Sequence, residues 1–253
     1  MGSTDNSELR RERIGQARKT NLGSRMTVIE YVNAKNVTVA FDNGYKKKIA
    51  WSTFLSGEVQ SVYDRTVYGV GYLGEGPYTA MDGRKQRKAY SLWLSILDRG
   101  YSEKTKKKHT TYKDCTVVEE WHNFQNFAKW FYDNYYEIEG HTMNLDKDIL
   151  VRGNKCYGPD TCVFVPQQIN KLFIKLDNPA RRLPLGVHFH KATKRYYASI
   201  NVTGRLIRKQ FATAEEAARC YIEIKEAHIK AMAEKYKDEI PNKLYEAMIT
   251  FRL

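Results

Sequence analysis

Residues 145–173 read LDKDILVRGNKCYGPDTCVFVPQQINKLF, and here residue type and spacing offer chemistry. The carboxylates of Asp146 and Asp148 and the amide of Asn170 are hard oxygen donors, which suit Mg²⁺ or another divalent cation. The surrounding pattern predicts how they would meet. Residues 145–150 read as an apolar and charged strand. Arg152-Gly153-Asn154 and Gly158-Pro159-Asp160 supply turn residues. Residues 162–165 read as a second short strand, ended by Pro166, which has no N–H to give a ladder. From Gln167 onward, Ile169, Leu172 and Phe173 at i, i+3 and i+4 predict a helix. Strand, loop, strand and helix make the plan of a ββα nuclease site, in which side chains from strand and helix converge on one cation.

The stretch resembles the core of HNH (His-Me finger) endonucleases, in the divergent form found in bacteriophage proteins. The resemblance continues upstream through Tyr90-Ser-Leu-Trp93, Arg99-Gly-Tyr101, Tyr112-Lys-Asp-Cys115 and Glu119-Glu-Trp121-His-Asn-Phe124, and covers roughly residues 67–173. It implies that Asp146 is the first metal ligand, that Asn154 braces the loop, and that Asn170 completes the metal site from the helix. The general-base His position holds Lys147. A cationic ammonium cannot take a proton from water unless it is first neutralised. Water activation would then fall to His141, to the metal itself, or to Lys147 in its neutral form. His122 and His141 are the nearest imidazoles in sequence, and each also reads as an ordinary surface histidine.

The elements that must hold such a site fit into 253 residues with room for two or three small domains. The pattern predicts an α+β chain. Lys and Arg number 42 against 29 Asp and Glu, a net charge of +13. That surplus implies a polyanionic partner, nucleic acid before membrane, because no basic amphipathic helix is evident. No apolar run approaches about 18 residues and no signal-peptide core follows the polar N-terminus. The expectation is an intracellular, cytoplasmic protein with no membrane partner, placed in the host cytoplasm if phage-encoded. Cys115, Cys156, Cys162 and Cys220 are irregularly spaced and do not make a disulfide framework. Zinc held by Cys115, His122, Cys156 and Cys162 is one reading; buried thiols are the plainer one.

Residues 1–23 are polar and charged, and read as a flexible basic arm. Residues 24–64 read as a small β-module, with strands in 26–31 and 37–41, a hairpin at Asp42-Asn43-Gly44, and a return over 45–51. Its Lys46-Lys47-Lys48 edge has two readings, DNA contact or protection against strand pairing. Residues 65–176 read as the ββα domain with its helices. Within them, Tyr68 to Gly74 carries a GxGxxG string, but no helix pattern follows, so it reads as a glycine-rich turn and not a nucleotide fingerprint. Residues 84–113 are the most basic segment, with an apolar helical face (Tyr90, Trp93, Leu94, Leu97, Tyr101) flanked by cations. Among these, Lys106, Lys107 and Lys108 are candidates for phosphate contact. Trp121, Phe124, Phe127, Ala128, Phe131 and Tyr132 repeat at helical spacing and are expected to pack against the ββα unit.

Residues 177–184 read as a linker containing Arg181 and Arg182. In 185–253 three short strands are expected (186–190, 195–202 and 206–211), followed by a helix opened by the capping box Thr213-Ala-Glu-Glu216. This unit resembles the ethylene-response-factor (AP-two) DNA-binding domain, through Gly186-Val187, Tyr197-Ala198 and Phe211-Ala-Thr-Ala-Glu-Glu-Ala-Ala218. Arg208-Lys209-Gln210 stands where that family usually has a Leu-Gly pair. The resemblance implies a sheet lying in the major groove. The alternation alone puts Tyr196, Ala198, Ile200 and Val202 under the helix and Arg195, Tyr197, Ser199 and Asn201 outward, where side chains reach base edges. His188, Lys194, Arg205 and Arg208 join the candidate DNA contacts. The competing functions are a metal-dependent duplex-DNA endonuclease, a DNA-binding protein on a nuclease-derived scaffold without catalysis, and a basic interaction protein for RNA or an acidic host protein. The pattern leaves oligomeric state open.

Overall fold

The computed structural model describes residues 6–173, 182–202 and 204–253. It is α+β, with helices interspersed among small sheets, and divides into two compact units, residues 1–131 and 132–253.

In the first unit, the stretch expected as a flexible arm carries regular structure from residue 6 onward, and residues 1–5 lie outside the described residues. Asn6–Arg13 form a helix (α1), and Ala17–Lys19 (β1) pair antiparallel with Arg25–Asn33 (β2). The reason is tertiary. Leu9 packs against the module's core. The Arg13 guanidinium lies 4.3 Å from the Trp51 ring and 4.8 Å from the Tyr31 ring, and donates to the Tyr31 hydroxyl at 2.6 Å. Asn36–Phe41 (β3) and Lys46–Ile49 (β4) complete a sheet of order β1-β2-β3-β4. Period-two alternation sends Met26, Val28, Val37, Val39 and Phe41 inward, with Phe54 and Val59. The hairpin falls at Asp42-Asn43-Gly44 as expected, with Gly44 at φ 88°. Trp51, expected at a strand end, instead opens a helix (Trp51–Ser56, α2), where its ring stacks on Phe54 at 5.0 Å.

A short hairpin (Met81–Asp82, β5; Lys85–Gln86, β6) leads to helix α3, Lys88–Tyr101, and then α4, Glu103–Lys108. Strand β7 (Thr116–Val117), a 3₁₀ turn (Glu119–His122) and helix α5 (Phe124–Asn134) follow. Trp93, Trp121, Phe124 and Phe127 are fully buried. Phe124 lies 5.5 Å from Trp93 and 5.2 Å from Tyr90 of α3, and Trp121 meets Phe127 edge-on at 5.0 Å. Tyr132 is half exposed. The glycine string is a turn, and at Gly71 a methyl would meet the Leu97 side chain at 2.4 Å, so glycine lets the turn lie on α3.

In the second unit, Met143–Asp146 (β8), Cys156–Tyr157 (β9), Val163–Pro166 (β10) and Gln167–Phe173 (α6) realise strand, loop, strand and helix. The first strand is shorter than expected, because Asp146 turns the chain at its own end. Val187–His190 (β11), Arg195–Val202 (β12) and Arg205–Phe211 (β13) form an antiparallel sheet in that order. Helix α7 (Ala214–Lys235) and helix α8 (Asn242–Ile249) follow. Thr213 and Glu216 close the capping box, the Thr hydroxyl accepting from the Glu216 N–H at 3.2 Å.

Helix α7 serves two cores. Its first turns bury Ala217, Cys220 and Tyr221 against Val187, Ala198 and Ile200 of the sheet. Further along, Ile229, Met232 and Ala233, with Leu244 and Met248 of α8, enclose Val163, Val165 and Ile169 of the ββα unit. At about 25 cal/mol per Å² of apolar surface, side chains of this size each contribute about 1.5–3 kcal/mol when buried.

Candidate functional site

Two sites arise from the second unit. The first is the loop after β8. Val163 is the register partner of Asp146, so the strand ends beside β10. Asp146 Oδ1 accepts from the N–H groups of Asp148 and Ile149, both at 2.8 Å, a side-chain turn that ends the strand. Burial and the neighbouring Asp148 carboxylate raise the pKa of Asp146, against the lowering effect of those two N–H groups.

Lys147 is buried. Its ammonium lies 3.6 Å from Asp148 Oδ2 and 5.7 Å from the Tyr157 ring centre. Asn154 spans the loop as the resemblance implied: its Nδ2 donates to the carbonyls of Lys147 and Cys156, each at 2.7 Å, and its Oδ1 accepts from the Cys156 N–H at 3.2 Å. Asn170 is half-buried on α6, the helix that follows β10 directly. His141 lies at the other end of β8, with Nε2 3.4 Å from the Tyr236 hydroxyl. The strand rises about 3.3 Å per residue, so the three steps from Met143 to Asp146 alone set it roughly 10 Å from the carboxylates. The structure therefore brings Asp146, Lys147, Asp148 and Asn154 together and leaves His141 apart.

None of the four cysteines is in a disulfide. Burial pushes the Cys162 thiol up to about 12, far from the thiolate that metals require. Among the described residues, no group of three or more His, Cys, Asp or Glu side chains is placed to hold a metal ion. His122 sits against the Tyr101 hydroxyl at 2.7 Å, and burial and the Arg65 charge lower its pKa.

The second site is the open face of the three-stranded sheet. Register pairs His188 with Tyr197, His190 with Arg195, Tyr197 with Gln210 and Ser199 with Arg208, so these residues share the face away from α7. The Arg208-Lys209-Gln210 departure leaves the pairing of β13 intact through seven residue pairs. The Tyr197 hydroxyl donates to Gln210 Oε1 at 3.0 Å. Asn201 shares this face, but its Oδ1 accepts from Gly204 N–H at 2.9 Å and shapes the turn. Arg205 pairs with Val202, which puts it on the helix-side alternation. Lys194 is in the β11–β12 turn at φ 52°, exposed. Arg182 is exposed, and Arg181 lies outside the described residues. His190, Gln210 and the exposed Leu206 also stand on the open face, although the sequence reading did not name them. Only the cross-strand register, with the outward row of β12 as its reference, would have found them.

In the first unit, α4 carries Lys106, Lys107 and Lys108 in its last turn, the last two exposed. The Ser102 hydroxyl caps it, accepting from Thr105 N–H at 3.3 Å.

Comparison with protein-family models, curated proteins and solved structures found no match. No described helix is long and apolar enough to cross a membrane.

Proposed function

We propose that this protein binds duplex DNA through the open face of its C-terminal sheet, in the manner of the AP-two-type domain it resembles. The observation that carries this reading is the row His188, Arg195, Tyr197, Ser199, Arg208 and Gln210, standing on three strands whose opposite face is sealed by α7. Side chains projecting from a rigid sheet fit a major groove about 12 Å wide, and arginine there reads guanine through two hydrogen bonds. The net charge of +13 and the α4 lysines supply sequence-independent attraction to phosphate. The setting is cytoplasmic, that of the host if the chain is phage-encoded. Fluorescence anisotropy with duplex, single-stranded DNA and RNA tests it: duplex preference with steep salt dependence is expected, and equal affinity for single-stranded RNA overturns it.

A second reading, metal-dependent nicking by an HNH-like centre, is favoured by the Asp146–Asp148 carboxylate pair and by the Asn154 brace. In this reading Asp146 and Asp148 would hold one hard divalent cation that keeps several waters, with Asn170 on α6 as the further donor. Such an ion would supply charge stabilisation and an acidified water. Lys147, 3.6 Å from Asp148 Oδ2, would supply positive charge beside the carboxylates, where the resemblance has a general-base His. General-base assistance is commonly worth about 10²–10⁴-fold, so the centre should nick slowly at best. A supercoiled-plasmid assay with Mg²⁺ and Mn²⁺, comparing wild type with Asp146→Ala, decides whether this reading stands.

A further inference from the structure

Three contacts fix Lys147 in the loop after β8. Its carbonyl accepts from Asn154 Nδ2 at 2.7 Å, its ammonium stands 5.7 Å from the centre of the Tyr157 ring, and Nζ lies 3.6 Å from Asp148 Oδ2. The Lys147 side chain is 11% exposed and that of Asp148 44%. A buried stem thus carries the charge to a carboxylate that still meets water. Asp148 is also the carboxylate whose charge acts on Asp146. Oδ1 of Asp146 is itself engaged by the Asp148 and Ile149 N–H groups.

We infer that Lys147 is a resident counter-ion of this loop, a protein-borne cation that competes with a divalent metal ion for Asp148 and holds down the metal affinity of the Asp146–Asp148 pair. The inference rests on the metal-dependent reading above and concerns how readily that centre loads. An ion taken up on Asp148 Oδ2 at a Mg–oxygen distance of about 2.0–2.1 Å would stand within about 6 Å of the ammonium. Like charges so close repel, and salt screens them little beside a buried stem. Moving the ammonium aside would break its contacts with Asp148 and the Tyr157 ring, so loading carries that cost as well. Removing the charge by substitution, in contrast, leaves Asp148 partly in water and strands no buried carboxylate. At the position where the resemblance has a His, the cation therefore acts on metal loading as well as on proton transfer.

The test is Mn²⁺ binding by the full chain without DNA, followed by electron paramagnetic resonance of the free ion. Wild type is compared with Lys147→Met, which keeps a straight stem and removes the charge, and with Lys147→Gln as a second neutral exchange. Lys147→Arg keeps the charge. Each is also combined with Asp146→Asn, which separates binding at this loop from binding elsewhere. Both neutral variants should bind one Mn²⁺ about tenfold or more tightly than wild type, and Lys147→Arg should stay within about threefold of it. Asp146→Asn should abolish the difference. Circular dichroism and the urea midpoint confirm that each variant folds. Equal affinity of wild type and the neutral variants, with Asp146→Asn abolishing binding in all, overturns the inference and leaves the metal-dependent reading standing. A gain in Lys147→Arg equal to that in Lys147→Met also overturns it, because charge would then not be the cause. If no variant binds Mn²⁺ in an Asp146-dependent way, the inference and the metal-dependent reading fall together.

Discussion

The guanidinium of Arg208 lies 5.3 Å from the centre of the Tyr197 ring, and its Nε reaches toward the Ser199 hydroxyl at 3.5 Å. Stacking of this kind fixes the plane of an otherwise mobile fork before any ligand arrives. Arg208→Lys keeps the charge and loses the fork. It should therefore cost about 1–3 kcal/mol of discrimination between preferred and random duplex, with little change in random-duplex affinity. Substituting Lys107 and Lys108 by Ala should instead weaken all duplexes about equally. Competition binding with both classes of duplex separates the two, and identical behaviour would refute the division of labour.

Protonation of the Asp146 site should set part of the pH dependence of stability. Burial and the Asp148 charge raise its pKa in the folded chain. Folded protein thus binds more protons than unfolded protein above the ordinary carboxylate range, and this group's contribution to stability falls as pH rises through that interval. Asp146→Asn keeps the Oδ1 acceptor for the two loop N–H groups and removes the charge. It should melt higher than wild type at pH 7, with the gap narrowing toward pH 4. Mg²⁺ should raise the melting temperature of wild type and not of this variant.

Asn154 closes its loop with three hydrogen bonds. Asn154→Ala leaves the Lys147 and Cys156 carbonyls without their donor and should cost about 1–3 kcal/mol, read as a lowered urea midpoint. Asn154→Asp replaces that donor with a carboxylate facing two carbonyls. Its loss should be at least as large at pH 7 and smaller in acid.

Much of this arrangement is legible locally. Thr213 and Glu216 lie three residues apart, and their capping box formed as read; Thr213→Ala should cost about 1 kcal/mol of stability in urea titration. The alternation of residues 195–202 likewise gave both faces of β12. Arg13 was not legible, because its partners Tyr31 and Trp51 are 18 and 38 positions away and no periodicity announces them. The burial of Lys147 was hidden for the same reason. It depends on the β8–β10 pairing and on Tyr157 across the loop. The aromatic repeat of 121–132 gave the helix and its buried face, because apolar side chains recurring at helical spacing mark the side turned from water.

Gly186 offers a sharper check on the C-terminal core. It sits at φ 74°, and an added methyl would meet the Tyr221 ring at 2.0 Å. Gly186→Ala combines backbone strain with that clash. It should destabilise the sheet by several times the Thr213→Ala cost (~1 kcal/mol), measured by hydrogen exchange of the β11 and β12 amides.

Helix α7 places Tyr221 in the core of the sheet and Ile229 in that of the ββα unit, eight residues further along one unbroken rod. At 1.5 Å and 100° per residue, those eight steps are about 12 Å and slightly more than two turns. The spacing between the sheet and the Asp146 loop is therefore quantised. Inserting one residue between them would swing Ile229 about 100° out of its socket, whereas inserting seven would bring it back into phase some 10 Å farther away. Evolution or engineering can regear this separation in steps of whole helical turns, but cannot slide it.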